Sequence, residues 1–254
     1  MNASQLFIAF YTLVRKEFTR VLRIWPQTIL PPAITAGLYF LIFGTVIGDR
    51  IGLIHGFPYI EFIVPGIVMS SLINSSFMNT SFSFYSSKFN HSIEEIQVSP
   101  MPNHLIIWGY VSGGILRGVL VGAMVFAISA FFTHVLPAHP MFCILTAMLS
   151  STLFSMLGLI NGMLANNFDD VSWIPSFIIT PLTYLGGVFY SIESLPTIWQ
   201  QISLFNPIVY IVSAFRFSIL GNWTANSYLS IVCILLLNAI LYVMTLKIMD
   251  RSIK

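Results

Sequence analysis

The chain has 254 residues, of which 56% are hydrophobic and 8% charged, and its formal net charge is +2. So few charges exclude a soluble globular surface, because an ordinary globular chain carries about 25% ionisable residues. The small positive excess also gives no basis for nucleic-acid binding, and where the basic residues sit matters more than their sum.

Residues 4–25 predict an amphipathic helix. Phe7, Phe10, Val14, Phe18, Val21, Leu22 and Trp25 recur at helical spacing, while Thr12, Arg15, Lys16, Thr19, Arg20 and Arg23 take the other side, and Pro26 ends the run. Aromatic residues opposite basic ones favour a helix lying in a headgroup plane; an ordinary solvated lead-in is the competing reading. No short apolar core with a small-residue cleavage site is present, so this end is expected to be retained and not removed as a signal peptide.

The stretches 28–48, 62–87, 118–168, 171–192, 194–215 and 217–246 then contain no Asp, Glu, Lys or Arg. A hydrocarbon span needs roughly 20 such residues, and the short alternating strands of a membrane barrel are absent, so the spans are helices. The expected fold is therefore an all-α integral membrane protein formed as one domain over 1–254, with six spans at 28–48, 60–82, 105–133, 141–165, 173–190 and 228–247. With both termini cytoplasmic, that side holds Arg15, Lys16, Arg20, Arg23, Lys88, Lys247, Arg251 and Lys254, and the outer side only Arg50 and Arg216, as the positive-inside rule requires.

The second span is unusually polar. Ser71, Ser75, Asn79 and Ser83 stack at four-residue spacing, with Ser70 and Asn74 beside them. Dehydrated hydroxyls and amides need partners, so this stripe faces either other helices, as packing, or water, as a substrate path. After it, Lys88–Asn103 carries Ile93, Glu94, Glu95 and Ile96 ahead of Pro100 and Pro102, a short helix whose acidic and apolar surface suits a docking partner or a plain loop.

In the third span, Gly114, Gly118 and Gly122 recur at four-residue spacing, a pattern that brings membrane helices close together. Arg117 lies among them. A charge there costs about 2.5–3.5 kcal/mol on translocon scales unless it is partnered, by Asp169 or Asp170 for instance, or sits near the interface; Asp170 also reads as a helix cap. Cys143 and Cys233 lie in apolar runs without metal-like spacing and read as buried small hydrophobes. Between 191 and 227, the runs Leu195–Phe205 and Pro207–Leu220 are each too short to span, and they predict a re-entrant or interfacial hairpin capping a path on the outer side.

No lysine follows a glycine anywhere, which rules out the Gly-Lys of a phosphate-binding loop, and neither Gly-x-Ser-x-Gly nor His-Glu-x-x-His occurs. The chain offers no catalytic constellation and no metal-ligand cluster.

The run Pro181-Leu182-Thr183-Tyr184-Leu185-Gly186-Gly187-Val188-Phe189-Tyr190, followed by Asn206-Pro207-Ile208-Val209-Tyr210 and Phe215-Arg216, resembles the ABC-2 type permeases of bacterial ABC exporters. The likeness extends to Arg23–Thr28, Pro31-Pro32, Phe62–Gly66, Gly113-Gly114 with Arg117-Gly118, and Phe168–Asp170. It implies an inner-membrane permease working as a dimer, usually a homodimer, with two copies of a separate ATPase that binds the ATP and magnesium; this chain would hold no cofactor. It implies that residues 4–25 and 86–100 contact that ATPase, marking Arg15, Arg20, Glu94 and Glu95 for coupling. It implies further that the second and fifth spans flank the path, adding Thr183 and Tyr184 to Ser71, Asn74, Ser75 and Asn79. The cargo would be amphipathic or lipid-linked, of drug, lipid or polysaccharide class. A channel or secondary transporter is the alternative, for which Glu61, at a span edge, is the nearest ion-coupling carboxylate.

Overall fold

The structure, a computed structural model, describes residues 2–221 and 226–252. The expected 191–227 segment thus has residues 222–225 outside the described region, and Lys254 lies outside it too. Apart from a two-residue-per-strand hairpin, Leu53–Ile54 against Phe57–Pro58, the described chain is helical. That hairpin was not anticipated; it turns through His55 and Gly56, both at positive φ.

Helix α1 (Ala3–Arg23) is followed by α2 (Trp25–Tyr39), which runs on as a π-helix over Phe40–Ile47. Helix α3 (Tyr59–Phe89) is the longest, and the short α4 (Ser92–Val98) follows it. Next come α5 (Asn103–Ser129), α6 (Pro140–Leu164) and α7, an unbroken run of Phe168–Ile174, a π segment Pro175–Ile179 and Thr180–Leu185. Helices α8 (Thr197–Leu204), α9 (Pro207–Leu220) and α10 (Asn226–Ser252) complete the chain.

Among the described residues, five helices are long and apolar enough to cross a bilayer: Trp25–Gly44, Tyr59–Phe89, Asn103–Ser129, Pro140–Leu164 and Leu229–Arg251. One of the sequence expectations changes in detail. The predicted fifth span, 173–190, is displaced towards the N-terminus: α7 starts at Phe168, carries Asp169 and Asp170 in its first turn, and stops at Leu185, so its apolar length falls short of the other spans. It stops because Gly186 and Gly187 leave the helix, Gly187 at φ +73°, a conformation glycine adopts without penalty. The two short apolar runs beyond it form α8 and α9, which meet at 88°, as a broken span or a re-entrant loop does.

Helix α3 is the centre of the molecule. Of its most apolar window 72% is buried, against 17% for Leu229–Arg251. Ser75, Ser76, Asn79, Thr80, Ser81 and Ser83 are buried along it, as are Ile63, Met69, Leu72, Ile73 and Phe77. A helix this polar stays out of lipid only if other helices surround it, and glycines let them approach. A Cβ on Gly114 would strike Ser155 and Thr80, one on Gly118 would strike Ser76 and crowd Ser151, and one on Gly122 would press on Leu72 at 3.2 Å. Helix α6 meets α3 in the same way: a Cβ on Gly158 would strike the Phe77 carbonyl, and one on Gly162 would lie 2.7 Å from that of Ser81. The glycine row read from the sequence is thus a packing seam joining α5, α3 and α6.

Polar side chains close the ends of this bundle. Lys88 Nζ donates to the carbonyls of Met163 (3.1 Å) and Ala165 (2.9 Å), capping the C-terminus of α6 from α3. At the other end Arg216 of α9 donates from Nη2 to Gly187 O (2.7 Å) and from Nε to Phe62 O (3.3 Å), with its guanidinium 3.9 Å from the Phe62 ring centroid. Asn206 Nδ2 donates to Leu182 O at 2.6 Å. Several residues quoted for the family resemblance, Arg216, Gly187, Phe62, Asn206 and Leu182, thus join α9 to α3 and to the end of α7.

Gly118→Val drives a branched side chain into Ser76. It is expected to lower stability by roughly 1–3 kcal/mol, read as a reduced thermal midpoint and a poorer monodisperse yield in detergent.

Candidate functional site

The polar stripe of α3 divides between two environments. Its N-terminal half, Ser70, Ser71, Asn74 and Ser75, lines a cleft of about 320 Å³ whose other walls come from α2 and α7. Pro31, Pro32 and Thr35 supply the α2 wall, where two adjacent prolines remove backbone donors from the helix. Thr180, Thr183 and Tyr184 supply the α7 wall. Tyr39, Tyr184 and Phe189 form an aromatic edge, with ring centroids 5.6 Å (Tyr39–Phe189) and 6.0 Å (Tyr184–Phe189) apart. Thr35 and Tyr184 are exposed, so the cleft opens along one flank.

Of the six residues placed on a substrate path from sequence, five (Ser71, Asn74, Ser75, Thr183 and Tyr184) line this cleft together. Asn79 does not. It is fully buried one turn further on, where Arg20 Nη2 donates to its Oδ1 at 3.0 Å.

That contact belongs to a buried cluster that sequence reasoning missed. Helix α1 does not lie on the bundle by an apolar stripe alone: its packed residues are Leu13, Glu17 and Val21, at i, i+4 and i+8. Glu17 has no solvent exposure. Its Oε2 accepts from Arg20 Nη2 at 2.9 Å, and Ser83 Oγ lies 2.8 Å from both carboxylate oxygens. Its seat is again a glycine, for a Cβ on Gly113 would lie 2.9 Å from Glu17 Cβ, and one on Gly109 would strike Leu13. Arg20, expected on the outward basic face beside Arg15, is turned inward; Arg15 is exposed. The outer surface of α1 presents Phe7, Ile8, Tyr11 and Leu22. The only sequence signal for the cluster was one acidic residue at four-residue spacing from Leu13 and Val21 in an otherwise basic helix.

The remaining sequence candidates fall elsewhere. Glu94 and Glu95 are exposed on α4, which is held by buried Ile93 and ends in Val98, 87% exposed. Glu94 Oε1 is 2.6 Å from His91 Nδ1. Arg117 has no hydrogen bond or ion pair among the described residues, so neither Asp169 nor Asp170 partners it. Asp170 instead caps α7: its Oδ2 accepts from Asn166 N (2.9 Å), while Asn167 Oδ1 accepts from Asp170 N (2.7 Å). Cys143 and Cys233 are half-buried and unpaired by disulfide.

Comparisons with known proteins agree on one family. A family model described as ABC-2 type transporter matches residues 8–220. The chain is 51% identical over 215 residues to the inner membrane transport permease YadH of Escherichia coli strain K12, covering 85% of this chain and 84% of that one. It is also 22% identical over 202 residues to nodulation protein J of Rhizobium leguminosarum bv. viciae, covering 78% and 77%.

Two outcomes are expected from this geometry. Glu17→Ala leaves Arg20 and Ser83 without their buried partner and should destabilise the full chain by about 3 kcal/mol, measured by thermal unfolding in detergent. A cysteine at Ser71 should react with a membrane-impermeant maleimide, whereas one at Asn79 should stay protected while α1 remains docked.

Proposed function

The chain belongs to the ABC-2 type transporter family, and from that premise we propose that it is the membrane-spanning permease subunit of an ATP-driven exporter in a bacterial inner membrane. The observation that carries this reading is the cleft between α2, α3 and α7, where hydroxyl and amide groups face an aromatic edge. Weak hydrogen-bonding groups beside aromatic rings suit an amphipathic cargo that must be held and released, of drug, lipid or polysaccharide class. Family likeness to a transport permease and to a nodulation protein supports the same reading. A second copy of the chain, facing the open flank, would enclose the path in a homodimer, and α8 with α9 would cap it on the outer side.

In this reading energy comes from another polypeptide, since the sequence holds no phosphate-binding loop. ATP and magnesium would sit on that separate ATPase. Two elements of this chain suit its docking, α1 with exposed Arg15 and the exposed acidic edge of α4, Glu94 and Glu95. ATP would then act by population shift: closure of paired ATPases favours one spacing of the permease subunits over another. Helix α1 would pass that movement to α3 through the buried Glu17–Arg20 pair, which binds Asn79 and Ser83 directly.

The purified chain is expected to hydrolyse no ATP until its partner ATPase is added; intrinsic hydrolysis would contradict the reading. Charge reversal at Glu94 and Glu95 should lower the ATPase activity of the reconstituted complex several-fold, with the thermal midpoint of the permease unchanged. Uptake of an amphipathic dye into inverted vesicles without any ATPase would favour a channel or secondary transporter instead.

A further inference from the structure

A second cleft, of about 440 Å³, opens between α1, α5 and the far end of α3. Three cations line it: Lys16 and Arg20 from α1, and Arg117 from α5. None of its lining side chains is acidic. Glu17, beside it, is already engaged by Arg20 and Ser83. Against one carboxylate there are three positive groups, and two positive charges are left uncompensated.

Arg117 is the least satisfied of the three. It follows Gly113, the seat of Glu17, by four residues, and so lies on the same face of α5 one turn along. Its Nε is buried and has no partner, and the Nε of Arg20 is buried and unpartnered as well. Lys16 Nζ lies 4.0 Å from Glu17 Oε1, on the same carboxylate that Arg20 engages, 3.4 Å from Ser87 Oγ and 5.4 Å from the Tyr110 ring centroid. An unpaired guanidinium within a span is expensive, and like charges sharing one cleft raise that cost further. Ser86, Ser87 and Asn90 add neutral donors on the α3 wall.

This donor set is complementary to one chemical class. A guanidinium presents a planar fork of N–H donors that binds phosphate oxygens in pairs, and an ammonium adds a point charge. Two uncompensated positive charges match a phosphate group carrying one to two negative ones. Phe82 and Phe168 form an apolar wall in the same cleft, suited to the organic part of an ester. We propose that Arg117, Lys16 and Arg20 form a binding site for a phosphate group, presented either by a lipid headgroup or by a soluble phosphate compound. The inference requires only the geometry of this cleft and holds independently of the transport reading.

The test uses the purified full chain and two probes. Radiolabelled inorganic pyrophosphate is titrated against protein in a neutral detergent, and native mass spectrometry counts phosphatidic acid retained against phosphatidylcholine. Binding of pyrophosphate alone identifies a soluble ligand; selective retention of phosphatidic acid alone identifies a headgroup. In either case Arg117→Gln should weaken binding about tenfold or more, the loss expected from removing a charge-assisted partner. Lys16→Gln, at a half-exposed position that folding tolerates, should weaken it in the same direction. Arg251→Gln, an exposed cation far along α10, should leave it unchanged. Failure of the wild-type chain to bind either probe, undiminished binding by both Arg117→Gln and Lys16→Gln, or an equal loss in Arg251→Gln would overturn the site.

Discussion

A helix too polar for lipid has to be screened from it by protein, and in this chain that helix is α3. Ser75, Ser76, Asn79, Thr80, Ser81 and Ser83 are all buried on it. Water is not available in a bilayer to satisfy them, so neighbouring helices must come close. Glycines provide the room: Gly114 and Gly118 on α5, and Gly158 and Gly162 on α6, each place backbone where a side chain would collide with α3. The apolar residues that a soluble protein would bury are turned outward instead, as on α10, where Leu235, Leu236, Ile240 and Val243 are exposed. Helices α5 and α6, which pack most extensively on α3, take their places from this enclosure.

Two different uses of one polar stripe result. Where α2 and α7 stand off from α3, its hydroxyls and Asn74 border a cleft. One turn beyond Ser75, α1 closes over the stripe with a buried ion pair, and Asn79 and Ser83 become its ligands. Ion pairs taken out of water are poor stabilisers on balance but are demanding about geometry, because a displaced partner leaves a bare charge behind. Glu17 therefore fixes the register of α1 against α3 and α5 more than it strengthens the bundle. Helix α1 is in this way tied to the helix at the centre.

Much of this was legible in the residues. Long uncharged stretches gave the spans, and four-residue glycine spacing gave the seam at Gly114, Gly118 and Gly122, because both signals are local and periodic. The stripe on α3 was visible for the same reason, although whether it packed or faced an opening was not, since serine serves both. What escaped were contacts between distant segments. Glu17 looked like one acid in a basic helix, because nothing in residues 4–25 reveals that Gly113 and Ser83, far along the chain, form its seat. Arg20 was assigned outward by helical period, yet a long flexible side chain and a buried acceptor decide otherwise. The end of α7 was misjudged because hydrophobicity continues through Val188 and Phe189 after the glycines have already turned the chain. For Arg117 the sequence left open an aspartate partner or a place near the interface; the first fails, because Asp170 is taken by the backbone of Asn166.

One modest contact has a mechanical corollary. Lys88, near the last turn of α3, reaches the terminal carbonyls of α6. Sliding one of these helices along the other by a single residue's rise, about 1.5 Å, would strand both oxygens. A torque applied near α4, just past Lys88, is therefore shared with α6: the ammonium ties the two helices at this end, so that tilting one pulls on the other.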